Sequence, residues 1–124
     1  MASDYSGPPE DVAMLLQAVL PVGLTSNQPQ ILRNVALTLS KGLNYQNVTG
    51  IFREDAQDYQ VAQDSLVLLE MTILLFEHWA ASYLKSDKYL RGLAIGVLEV
   101  LVHSVAFWAR LKQSSVITKL LLKV

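Results

Sequence analysis

Residues 55–84 read DAQDYQVAQDSLVLLEMTILLFEHWAASYL, a stretch with no glycine or proline. Tyr59, Ala62, Leu66, Leu69, Ile73, Phe76, Ala80 and Tyr83 alternate spacings of three and four, the seam of a heptad-like amphipathic helix. Leu68, Thr72, Leu75 and Trp79 widen the apolar arc to about half of the helix circumference. Gln63, Glu70 and Glu77 recur every seventh residue as a separate polar stripe. Such a helix has too much apolar surface to stand alone in water and needs neighbours on more than one side. It therefore predicts an all-α fold: an antiparallel bundle of four to five helices around a long central hairpin.

The second arm of that hairpin follows directly. Lys85-Ser86-Asp87 is a short turn in which Ser86 or Asp87 can cap a helix over 87–111. The apolar side of that helix reads Tyr89, Leu90, Leu93, Val97, Val100, Leu101, Ser104, Val105 and Trp108. Its opposite side carries Gly92, Gly96, Glu99, His103, Ala106 and Arg110. A short turn favours antiparallel arms. Asp58 and Asp64 then come level with Arg110 and Lys112, and Glu70 with His103.

Upstream, Pro8-Pro9 opens a helix over 9–20, with Glu10 and Asp11 in its first turn and an apolar stripe of Val12, Leu15, Leu16, Val19 and Leu20. Pro21 and Gly23 are expected to end it. A second helix spans 28–43, with Pro29 in its first turn and a stripe of Ile31, Leu32, Val35, Ala36, Leu39 and Leu43. Asn47 to Gly50 breaks the chain. A last helix starts near Ser114 and carries Ile117, Leu120, Leu121 and Val124. Residues 1–8 read as a flexible tail ahead of a single helical domain, 9–124. The apolar pattern still running at Val124 admits a longer chain of which this is the N-terminal part. The rhythm of helix pairs resembles armadillo or HEAT-type solenoids in architecture, but no segment repeats at a fixed period.

The chain has 124 residues, 52% of them hydrophobic and 17% charged, with a net charge of −1. An apolar excess of this kind suits a protein that buries surface against other helices. The charge is unevenly placed. Residues 1–77 hold nine acids and three bases (−6), and residues 78–124 hold seven bases and two acids (+5). Folded together, the halves can neutralise one another. No cysteine is present, which removes disulfides, thiolate metal ligands and cysteine nucleophiles. Asp4, Glu10 and Asp11 interrupt the N-terminus, which does not read as a signal peptide, so a cytoplasmic or nuclear setting is expected. The sequon Asn47-Val48-Thr49 is then a chance match.

Constellations for chemistry are thin. Glu99 and His103 are four apart and share a helix face, but a bundle metal centre needs Glu-x-x-His on two helices and further carboxylates. The chain has two histidines and no such motif. Adjacent Glu77 and His78 diverge by about 100° on a helix. No hydroxyl nucleophile is paired with a base. Neither an enzyme, a cofactor, a metal nor a small-molecule substrate is expected. Lys112, Lys119 and Lys123 form too sparse a basic line for nucleic acid. Tyr83, Tyr89, Trp79 and Trp108, at helical spacing, read as core.

Gly92-x-x-x-Gly96 is the feature that points outward. Two glycines within a helix disfavour it by about 1 kcal/mol each relative to alanine. They also let another backbone approach closely. Gly92, Gly96, Glu99, His103 and Arg110 are therefore the expected partner-binding ridge. The expected function is a non-enzymatic interaction or scaffold module, engaging a protein partner or a second copy of itself. The alternative is a membrane hairpin of residues 66–84 and 92–109. Against it, Glu70, Glu77, His78, Glu99 and His103 would each carry an insertion penalty of roughly 2.5–3.5 kcal/mol at mid-span.

Overall fold

The computed structural model describes residues 8–53 and 56–122. Among them every regular element is helical: α1 (Pro9–Thr25), α2 (Pro29–Gly42), α3 (Val48–Ile51), α4 (Tyr59–Ser82), α5 (Lys88–Leu101), α6 (Val105–Leu111) and α7 (Ser115–Leu122). The expected tail, apart from Pro8, lies outside the described residues. Seven helices stand where the sequence predicts four to five. One addition is the single turn α3, and the other comes from division of the helix expected over 87–111.

α1 buries Val12, Leu16 and Leu20 as its stripe requires, but it does not stop at Pro21. A mid-helix proline leaves the carbonyl four residues back without its donor. Here that residue, Gln17, is exposed, so water can take the place of the missing N–H. The turn beyond Pro21 is held by tertiary contacts. Gly23 is buried, and a Cβ there would lie 2.7 Å from Leu75 Cδ1 and 3.2 Å from Trp79 Cζ2. Its carbonyl belongs to the last turn, where helices run out of donors. The buried indole of Trp79 donates to it at 3.0 Å.

Other helix ends are closed in the same way. Asn47 Nδ2 donates to the Gly42 carbonyl at 2.8 Å, and Asn47 Oδ1 accepts from the Asn44 amide at 3.0 Å. The nitrogen that a glycan would occupy is thus buried and engaged, which fits a sequon arising by chance. Ser65 Oγ donates to the carbonyl of Ile51 at the end of α3, at 2.8 Å.

The packing order departs from the expected hairpin. α1 packs on α2, α3 and α4, while α5 packs on α2 and α7 on α4. α5 therefore does not lie along α4 despite the short turn between them. The face of α4 centred on Leu68, Leu75, Phe76 and Trp79 is buried, with α1 and α7 as its principal neighbours. α5 turns Leu90, Ala94, Val97, Leu98 and Leu101 inward. The N-terminal part of the α4 seam is left uncovered: Tyr59 is 75% and Leu66 53% exposed.

The helix expected over 87–111 breaks at residues 102–104. Ser104 Oγ accepts from the Phe107 amide at 3.2 Å and caps α6. This restart rotates the following residues. Ala106, Phe107 and Leu111 become buried, and Phe107 packs on Phe52 with ring centroids 5.4 Å apart. Val105 and Trp108, expected in the core, are exposed instead, and so is Tyr89 in α5 ahead of the break. Trp79 is fully buried and Tyr83 is partly so.

Of the two expected caps, Ser86 and Asp87, it is Asp87 that caps α5. It accepts from the Leu90 amide at 3.0 Å and from Arg33 Nε at 2.9 Å, joining α5 to α2. The Leu90 amide first, and Arg33 beside it, outweigh desolvation and hold the Asp87 carboxyl below its usual range. A depressed carboxylate contributes stability above its unfolded pKa and loses it as pH falls through the folded value. Asp87→Asn keeps a capping oxygen but loses the ion pair. In denaturant titrations the gap between wild type and Asp87→Asn should be widest near neutral pH and narrow below about pH 4. A gap that does not change with pH would remove the charge from this account.

Candidate interaction surface

Buried polar side chains are spent on the backbone. Thr72 Oγ1 donates to the Leu68 carbonyl at 2.7 Å. Ser114 Oγ donates to Glu77 Oε2 at 2.7 Å and accepts from the Ile117 amide at 3.3 Å, fastening the start of α7 to α4. Among the described residues no buried side-chain nitrogen or oxygen lacks a partner. No three His, Asp or Glu side chains among them gather as metal ligands.

None of the expected cross-hairpin charge pairs forms among the described residues. Glu70 takes Arg110, at 2.9 Å, and not His103. Asp58 caps its own helix through the Gln60 and Val61 amides. Asp64 accepts from Gln60 Nε2 at 2.9 Å. Of the heptad polar stripe, Glu70 reaches α6 and Glu77 reaches Ser114. Gln63 donates to the Tyr59 hydroxyl at 2.9 Å within α4. The Arg33–Asp87 pair runs against the overall asymmetry, since it joins a base of the acidic half to an acid of the basic half.

The five ridge residues are not held together. Gly92, Gly96 and Glu99 lie on α5 and are exposed, and a Cβ added at either glycine meets nothing within 4 Å. His103 lies beyond the end of α5, where its ring packs on Tyr45 with centroids 4.3 Å apart. Glu99 and His103 therefore no longer share one regular helix. Arg110 sits on α6 and faces α4, because the break at 102–104 takes it off the glycine face. The surviving surface is Gly92, Gly96 and Glu99, with His103 at its margin.

Two exposed tyrosines flank this face, and the sequence pattern does not reveal them. Tyr89 lies under the Arg33 guanidinium, 5.8 Å from ring centroid to cation, and Tyr45 carries His103. Tyr45 falls in a loop, where periodicity has no reach. A second open surface is a groove of about 370 Å³ between the start of α4 and α6, lined by Phe52, Tyr59, Leu66 and Arg110. It exists because α5 leaves the first half of α4 uncovered.

The second span of the membrane reading is not a continuous helix. α5 has 14 residues, about 21 Å at 1.5 Å per residue, against a hydrocarbon core of ~30 Å. Among the described residues only Tyr59–Ser82 is long and apolar enough to cross a bilayer, and 44% of its most apolar window is buried within the protein. No family model, characterised protein or solved structure matches this chain.

Proposed function

We propose that the protein is a non-enzymatic interaction module whose exposed α5 face receives a helix from a protein partner or from a second copy of the chain. The observation that carries this reading is the pair Gly92 and Gly96. Each disfavours its helix by about 1 kcal/mol, yet among the described residues no neighbour uses the space they leave. A partner helix approaching closely would use it.

Two substitutions test the reading. Gly96→Ala should raise the stability of the protein by about 0.5–1 kcal/mol, because the helix gains and nothing is displaced. Gly96→Leu should leave helicity intact while reducing association. The readout is molar mass by light scattering on a detergent-free size-exclusion column. Wild type should gain mass with concentration, and Gly96→Leu should not. A wild-type monomer at high concentration, unchanged by the substitution, removes self-association at this ridge. Material that stays in solution only with detergent favours the membrane reading.

A further inference from the structure

A groove of about 390 Å³ lies where the end of α4, the turn after it, the start of α5 and α7 meet. Its floor is apolar, formed by Ala80, Leu84, Val116 and Leu120, of which Val116 is the most exposed, at 43%. Four cations line it: Lys85 from the turn, Lys88 and Arg91 from α5, and Lys119 from α7. Among the described residues no acidic side chain lines it. The described ion pairs use Arg33 and Arg110, so none of these four cations is neutralised among the described residues. Asp87, the nearest acid in sequence, is engaged by Arg33 and the Leu90 amide. Four of the seven bases of the second half are gathered on this rim, while Arg110 pairs with Glu70 of the first half.

We infer that this groove docks an acidic amphipathic helix of a partner protein. Apolar side chains of that helix reach the floor while its carboxylates meet the four cations, the helix-in-groove mode of recognition. The volume falls in the range of built binding clefts. The shape separates this occupant from other polyanions. Single-stranded nucleic acid is gripped by stacking its bases on aromatic side chains, and among the described residues none lines the groove. The groove is distinct from the glycine face of α5, so either surface can fail without the other.

The test is fluorescence anisotropy of a labelled peptide titrated with the full chain. The probe carries leucine at i, i+3, i+4 and i+7 and glutamate elsewhere, over about four helical turns. The peptide should bind, and should weaken steeply as salt rises. Lys88→Glu with Lys119→Glu should weaken it about tenfold or more, with the thermal melt unchanged. Gly96→Leu should leave peptide binding intact. A control peptide with serine for leucine should not bind. Absence of binding by wild type, or equal binding by the charge-reversed variant, overturns the proposal. So does equal binding of the serine control, which reduces the site to bare charge. Co-sedimentation with phosphatidylserine vesicles, lost in the charge-reversed variant and without peptide binding, would assign the rim to lipid.

Discussion

Trp79→Ala should destabilise the protein by about 3–5 kcal/mol, a large part of the total stability of a domain of this size. The residue is fully buried, packs edge-on against Phe76 at 5.7 Å and donates to Gly23 on α1. Truncation leaves a cavity between α1 and α4 and also strands the Gly23 carbonyl. Trp79→Phe separates the two effects. It keeps most of the apolar volume but removes the donor, so it should cost about 1–3 kcal/mol, the desolvation penalty of an unpaired buried acceptor. Urea denaturation followed by circular dichroism measures both. A Trp79→Phe protein as stable as wild type would mean that the indole N–H does not help hold the turn beyond Pro21.

A comparable loss, about 3–5 kcal/mol, is expected for Phe107→Ala, while its neighbour Trp108→Ala should cost less than about 1 kcal/mol. The contrast is the sharpest test of the break at 102–104. A continuous helix over 87–111 would place Trp108 on the apolar side with Leu101 and Val97. The Ser104 cap places Phe107 there in its stead, fully buried against Phe52, and leaves Trp108 45% exposed beside Lys112. Equal costs at the two positions, or the reverse order, would restore the unbroken helix. Ser104→Ala should act in the same direction as Phe107→Ala but by only about 1 kcal/mol, the usual worth of an N-cap.

The candidate surface was half legible before any coordinates. Gly92, Gly96 and Glu99 can be placed together from spacing alone, because they lie within one unbroken helix. His103 and Arg110 cannot, because the helix ends at Leu101 and restarts on a different phase. Periodicity assumes continuity, and a single serine amid apolar residues gives little warning that it caps a new helix. The basic groove was beyond reach for another reason. Lys85, Lys88 and Arg91 are near one another in sequence, but Lys119 joins them only through the packing of α7 on α4.

The sequence by itself determined the helical class, the start at Pro9, a second start within a residue of Pro29, and the inward stripes of α1 and α2, and it narrowed the cap of α5 to Ser86 or Asp87. These follow from local rules, since dihedral restriction, capping and periodic burial act within a few residues. Tertiary structure alone decided which helix lies beside which. It carried α1 past Pro21, laid α5 on α2 and not along α4, and turned Phe107 inward in place of Trp108. Each of these choices was made by contacts between residues far apart in the chain, such as Trp79 with Gly23, Arg33 with Asp87 and Phe52 with Phe107. Burial rewards whichever apolar face meets a neighbour, and a stripe covering half a helix leaves several neighbours possible.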